Sequence, residues 1–345
     1  MQGQSSALSI SNDYLPKPEA QLVYICGSGH SGSTLLDMLL GGHSEIAGLG
    51  EAHRLHYHWR DAREADVCTC GCNVRKCPFW LAVENELRKI PEYAACGLSG
   101  LTLAHKRIAH LRNEQGEFIP QDPHSTKPRI RSRLNEGVMV IGSKPLRKLV
   151  ARFSNEVRHH LRIAEDSILL YDAVRKAHGK PVIVDSTKNA GRLKGLYLSR
   201  NCRMSFIRVI RDGRAVCWSR MRRVGTSIEN SIKIWKDEHL KLKSVLLTIP
   251  EQSIYSVHYE DLASKPEETL EKVCSFLKLE YRPEMLNFRD DRHNLGGNPM
   301  RFRSSEQQIR LDERWREEMP SDALEVFNKT GARLNRKLGY MTHRK

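Results

Sequence analysis

No stretch of this 345-residue chain is apolar for long enough to cross a bilayer. The first twenty residues carry no apolar run of signal-peptide length. They are polar, broken by Pro16 and Pro18, and read as a flexible N-terminal segment over 1–20. Both absences argue for a cytoplasmic protein. The nine cysteines form no secreted-type disulfide framework. Cys26, Cys96, Cys202, Cys217 and Cys274 mostly fall inside apolar segments, as reduced core thiols do. Aromatic residues make up only 7% of the chain, so no aryl-binding pocket stands out. There is no internal repeat at a solenoid period.

What the chain has in excess is positive charge. Lys plus Arg number 56 against 41 Asp plus Glu, a net +15, which favours anionic partners. A nucleic-acid binder is one reading, and it would show steeply salt-dependent affinity. The chain nevertheless lacks a Lys/Arg block interleaved with aromatics, a zinc-finger spacing and an RNA-recognition signature. The basic residues cluster near the motifs described next, which suits a polyanionic small ligand better.

Apolar runs bounded by turn residues alternate with helical spacing. "QLVYIC" (21–26) reads as a strand ending at Gly27, and "SGSTLLDMLLGG" as the helix after the turn. "PVIVDSTK", "RMSFIRVIRD" and "SIYSVHYEDL" read as further strands. "AGRLKGLYLSR", the segment after Arg211 and "KPEETLEKVCSFLKL" read as helices, as does the spacing over 146–178. The last amphipathic run, "SDALEVFNKTGARLNRKLGY", opens on Ser321 as an N-cap. The pattern predicts an α/β fold, a P-loop-type parallel β-sheet flanked by helices, as one domain over 21–345. Residues 53–145 are less regular and read as a largely helical or irregular insertion.

In such sheets ligands lie beyond the carboxyl ends of the strands. Three strand ends carry unusual residues: Gly27–Thr34, Asp185–Lys188 and Arg211–Ser219. The first nearly spells the phosphate-binding pattern G-x-x-x-x-G-K-[ST], with Ser33 in the lysine position. Glycines that turn backbone N–H groups inward, at the start of a helix, make an anion cradle. Without the lysine that neutralises β/γ-phosphates, the loop suits one phosphate better than a nucleoside triphosphate. At the third end, the fork of Arg211 and the hydroxyl of Ser219 could hold a second oxyanion.

Taken together, "GSGHSGSTLL" and "RDGRAVCWS" resemble the 5′-phosphosulfate loop and the 3′-phosphate motif of sulfotransferases that use 3′-phosphoadenylyl sulfate (PAPS). The likeness extends through "GLGE", "DSTK", "VHYEDLASKPEETL", "HNLGGNPMRF" and "WREEMP…KLGY". It is closest to bacterial members and more distantly includes the protein-tyrosine sulfotransferases. The resemblance implies that Gly29, His30, Ser31, Gly32, Ser33 and Thr34 wrap the 5′-phosphate and sulfonate. Arg211, Ser219 and Arg223 would take the 3′-phosphate side, Tyr259 the nucleotide side, and Asn298 and Arg301 the loop that closes over it. The family usually has Arg or Lys where this chain has His30, so cofactor affinity is expected to vary with pH.

Sulfuryl transfer needs in-line positioning and charge stabilisation rather than a metal. Glu51 in "GLGE" is the candidate base for the acceptor hydroxyl, with His53 in reserve. Lys188 is the candidate for the charge on the bridging oxygen, and Asp185 is expected to orient Lys188 or the acceptor. The acceptor could be a carbohydrate, a lipid, a small alcohol or a peptide tyrosine, with the insertion setting the choice. A second enzyme reading is a small-molecule kinase with Asp185 on Mg²⁺. Within the insertion, Cys68, Cys70, Cys72 and Cys77 are spaced more tightly than the usual pairs of a structural zinc site. Packing or a disulfide explains them equally well, and no metal ligand is assigned.

Overall fold

The computed structural model describes residues 21–60, 66–104, 130–199, 203–289, 292–302 and 308–341. The N-terminal segment 1–20, Cys202 and most of the polar stretch 113–133 lie outside the described residues. Five strands form one sheet: β1 Gln21–Gly27, β2 Ile46–Gly48, β3 Val182–Asp185, β4 Arg203–Ile210 and β5 Ile254–His258. Their order is β2-β3-β1-β4-β5, and every pairing is parallel. The helices are α1 Ser33–Leu40, α2 Leu55–Arg60, α3 Pro78–Arg88, α4 Ile130–Ile141, α5 Lys144–Ala151, α6 Asn155–His178 and α7 Ala190–Ser199. They continue with α8 Gly213–Val224, α9 Ile228–Leu246, α10 Tyr259–Ser264, α11 Pro266–Leu277, α12 Trp315–Glu318, α13 Ser321–Thr330 and α14 Ala332–Lys337.

The central strand is buried along its whole length, as parallel strands covered on both faces must be. Successive side chains point to opposite faces. Leu22, Tyr24 and Cys26 join Ile183, Phe206 and the helices α3, α6 and α7 on one side. Val23 and Ile25 join Val184, Ile207, Val209 and the helices α1 and α11 on the other. The insertion is part of the first of these cores, through Trp80, Val83, Leu87 and Leu98. Polar ties back it up: Tyr93 donates to Asp166 at 3.0 Å, and so does the Thr102 amide at 2.7 Å. Among the described residues no helix is long and apolar enough to cross a membrane.

Four sequence expectations change in detail. The three-residue strand β2 was not anticipated. The helical run 146–178 is two helices, because Ser154 caps α6 by accepting from the Val157 amide at 3.3 Å. The strand expected through "SIYSVHYEDL" stops at His258, and Tyr259 opens α10 with Glu260 and Asp261 in its first turn. The acidic pair favours a helix start. Ser321 is the first residue of α13 rather than its cap, and Pro320 takes the cap position.

Beneath the site, Asp37 of α1 is fully buried and accepts from Ser186 Oγ at 2.5 Å and Asn294 Nδ2 at 2.8 Å. Burial pushes its carboxyl up to about 7 from an ordinary 3.8, against the pull of those bonds and of Lys188. The folded chain therefore keeps this proton after the unfolded chain has lost it. The stability it contributes is complete below the ordinary value and is lost as pH rises toward 7. Asp37→Asn should remove that slope. The fall in unfolding free energy between about pH 5 and 8 should shrink by about 2–3 kcal/mol, read by denaturant titration at the two pH values.

Candidate active site

Gly27–Thr34 follows β1 and turns into α1. Gly32 sits at φ +92°, and a Cβ there would lie 2.4 Å from the Tyr259 ring. Only glycine meets both conditions, so the loop lies flat against Tyr259. No side chain caps α1, which leaves the amides of its first turn available to an anion. His30 is held at φ +66°, unusual for a residue with a side chain. Its Nδ1 lies 3.2 Å from Ser219 Oγ, and its carbonyl accepts from Arg211 at 3.1 Å. Burial, followed by the charges of Arg220, Arg223, Lys188 and Arg211, pushes the imidazole down to about 3. His30 is therefore neutral throughout the physiological range. In the free protein, burial and these cations keep the imidazole unprotonated.

Arg211 ends β4. It is buried, stacks 4.2 Å over the Tyr259 ring, and donates to the Asp312 carbonyl at 2.7 Å. Its Nε finds no acceptor among the described residues. A buried guanidinium N–H without a partner is costly, and Arg208 Nε and one terminal nitrogen of Arg220 are buried in the same way. Tyr259 OH accepts from the Asp312 amide at 3.1 Å. The sequence reading missed Glu238 of α9. Its carboxylate accepts from Ser28 Oγ at 2.5 Å, Gly29 N at 3.3 Å and Arg220 at 3.0 Å. Gly29 thus faces a protein carboxylate, and Arg220 is neutralised by an ion pair.

The other half of the site comes from the opposite side of β1. The β2–β3 ladder continues past β2: Leu49 N donates to the Val184 carbonyl at 2.9 Å, and Ser186 N to the Gly50 carbonyl at 2.8 Å. This register brings "GLGE" beside "DSTK". Lys188 Nζ reaches Glu51 Oε1 at 2.7 Å, while Arg54 donates to Oε2 at 3.1 Å. Lys188 is itself at φ +65°. Burial raises the Glu51 carboxyl, but the charges of Lys188, His53 and Arg54 prevail and hold it well below the carboxylate range. His53 is pushed down to about 3, first by burial and then by nearby Arg54 and Arg192, against the opposing pull of Glu51.

Asp185 does not touch Lys188. Oδ1 accepts from the Thr187 amide at 2.8 Å and its hydroxyl at 2.5 Å, and Oδ2 accepts from Tyr171 at 2.5 Å and Arg192 at 3.3 Å. Since Thr187 gives its proton to Asp185, its oxygen can only accept from His53 Nδ1, 3.4 Å away. Asp185 therefore orients His53 through Thr187. Thr187 was absent from the expected site because a hydroxyl relay has no spacing signature.

Residues 292–302 cross the open end as a strap. Gly50 bridges to Leu295, and Glu51 N donates to the Leu295 carbonyl at 2.7 Å. Gly296, at φ +65°, passes so near Glu51 that a Cβ would lie 3.1 Å from the Glu51 Cβ. Asn298 N donates to Thr34 Oγ1 at 3.1 Å, and Asn298 Oδ1 accepts from Arg223 at 2.8 Å. Arg301 points elsewhere: it is buried and donates to the Asn294 carbonyl at 2.6 Å, with Thr69 3.5 Å away. Ser31 and Ser33 are buried within the loop, and Ser31 Oγ donates to the Ser28 carbonyl at 2.7 Å.

A parallel sheet with a glycine-rich loop after its central strand, crossed by a strap, defines the class: a P-loop-like α/β fold. More specifically, the chain belongs to the sulfotransferase family, whose profile matches residues 104–283, just over half of it. That match includes Lys188, Arg211, Ser219, Arg223 and Tyr259, while the anion loop, Glu51 and the strap lie outside it. A Caenorhabditis briggsae protein provisionally named a protein-tyrosine sulfotransferase is 38% identical over 89 residues, 24% of this chain. The matched part spans about a third of that relative, 31%. The sulfotransferase domain of the Synechococcus PCC 7002 olefin synthase shares the fold, with a TM-score of 0.54 at 18% identity. That likeness covers 95% of this chain and 98% of the domain.

Proposed function

We propose that this protein is a sulfotransferase that takes PAPS as donor and a hydroxyl group as acceptor. The observation that carries the reading is the pairing, across β1, of two sites of opposite function. On one side the buried Arg211 has an unmatched Nε–H beside an uncapped helix start. On the other, Lys188 is poised on the Glu51 carboxylate. The residues fit the donor. Arg211 and Ser219 would hold the 3′-phosphate, with Arg223 at the edge, and Tyr259 would brace the guanidinium from below. The amides of 30–34, with the Thr34 hydroxyl, would hold the 5′-phosphosulfate. Asn298 ties the strap to Thr34. Arg301 supports the strap from behind rather than touching the donor.

When bound, the donor supplies a sulfuryl group, whose bond to the acceptor oxygen forms as its bond to the bridging phosphate oxygen breaks. Glu51 takes the acceptor's proton. In the free protein its low proton affinity makes it a weak base, and Lys188 is the largest attractive cause. Lys188 would swing from Glu51 to the charge developing on the bridging oxygen. That motion removes the partner that depresses Glu51 and strengthens it as a base when the proton must move. His53, oriented by Thr187 and Asp185, stands beside Glu51 and serves as the reserve base.

The kinase reading fares worse. Both Asp185 oxygens are already taken by four donors, so the carboxylate offers no open position to Mg²⁺. A carbohydrate, lipid, small alcohol or peptide tyrosine would each supply the acceptor hydroxyl, and the insertion 53–145 would set the choice. Buried thiols such as Cys26, Cys217 and Cys274 support a reducing, cytoplasmic setting. The test is incubation with ³⁵S-labelled PAPS and a host metabolite extract. Label should pass to a hydroxyl compound without added metal. Turnover of ATP that requires Mg²⁺, with no transfer of label, would refute the reading.

A further inference from the structure

The sequence places four cysteines within ten residues, but the fold gathers a different set of four ligands. Cys68 Sγ, Cys70 Sγ, Cys77 Sγ and one ring nitrogen of His293 all lie within 4.8 Å of one another. Cys72 is not among them. The 70–77 sulfur pair is 3.6 Å apart, and His293 Nδ1 lies 3.3 Å from Cys77 Sγ and 3.8 Å from Cys68 Sγ. Zinc bonds of ~2.3 Å to sulfur and ~2.05 Å to nitrogen, arranged tetrahedrally, put sulfurs about 3.8 Å apart and sulfur and nitrogen about 3.6 Å apart. The three measured edges scatter around those values. A disulfide between Cys70 and Cys77 would need the sulfurs at about 2.05 Å.

We infer that Cys68, Cys70, Cys77 and His293 form a structural zinc site that fastens the insertion to the strap over the active site. The hairpin that carries the thiols is built like a metal knuckle. Cys68 N donates to the Cys72 carbonyl at 2.8 Å, and Gly71 N to the Cys68 carbonyl at 2.9 Å. Gly71 at φ +86° allows the reversal. The imidazole is oriented by stacking on Phe79 at 4.8 Å, with His178 on the other face of that ring at 3.9 Å. Three thiolates and a neutral imidazole are a complete set for Zn²⁺, and binding releases the thiol protons. Exposed Cys70 provides a way in from solvent.

The site's position gives it a purpose. His293 stands one residue before Asn294, which holds Asp37, and five before Asn298, which holds Thr34. Thr69, between two of the thiols, donates to the Asn294 carbonyl at 2.8 Å. A metal here would fix the base of the strap whose Gly296 lies against Glu51.

The test is the zinc content of the full chain, purified under reducing conditions without chelator. We expect about one zinc per chain in the wild type and in Cys72→Ser, and at least tenfold weaker zinc binding in His293→Ala by competition with a chromophoric chelator. Cobalt loaded into the wild type, a readout that needs no ligand variant, should show the strong visible bands of a tetrahedral thiolate site. A wild type without zinc, a weak octahedral cobalt spectrum, or loss of zinc in Cys72→Ser with retention in His293→Ala would each overturn the assignment.

Discussion

Glu51→Gln is expected to lower turnover by about 10²–10⁴-fold while leaving the binding of adenosine 3′,5′-bisphosphate nearly unchanged. Gln keeps the shape and can still accept from Arg54, but it cannot take a proton. It also frees Lys188, whose ammonium would lose its 2.7 Å partner. That freed charge faces the anion loop, so any change in nucleotide affinity should be a modest gain. Single-turnover kinetics alongside calorimetry separate the two quantities. Equal losses in both would remove Glu51 from the base role. His53→Asn supplies the contrast: it should weaken turnover less than Glu51→Gln, because His53 acts beside the carboxylate. If His53→Asn were the more damaging of the two, the imidazole would be the base and Glu51 its partner.

Much of this architecture was legible in the sequence, for a physical reason. Parallel strands buried on both faces leave near-continuous apolar runs, and "LVYIC" and "PVIV" are such runs, while "FIRVI" is broken only by Arg208. Strand β2, with only Ile46–Gly48, is too short to leave one, although its register decides that Glu51 meets Lys188. Glycine at Gly32 was readable as a tight turn, yet the ring of Tyr259 that makes it obligatory arrives from more than two hundred residues away. The same separation hid Glu238 from Ser28 and His293 from Cys77. The sequence assigned no metal ligand among Cys68, Cys70, Cys72 and Cys77, and the fold sets His293 rather than Cys72 beside the other three. The charge of His30 was left conditional in the sequence, because a pKa depends on burial and on how many cations surround the ring. Sequence shows the ring and the arginines separately, without their convergence.

Arg211→Ala should reduce affinity for adenosine 3′,5′-bisphosphate by roughly 10²–10³-fold, as loss of a buried, charge-assisted contact does. It should leave adenosine 5′-phosphate almost unaffected. The comparison matters because Arg211 has two jobs. Its terminal nitrogens are committed to the protein, to the carbonyls of His30 and Asp312, and only Nε lacks an acceptor. Truncation could therefore weaken every nucleotide by loosening the loop. A purely structural role predicts the same loss for both ligands, whereas a 3′-phosphate site predicts that the wild type's preference disappears in the variant. Arg211→Lys sharpens the distinction, since lysine keeps the charge but not the fork and should recover only part of the preference. If the wild type binds the two nucleotides equally well, no 3′-phosphate rests on Arg211. The donor assigned here would then be wrong.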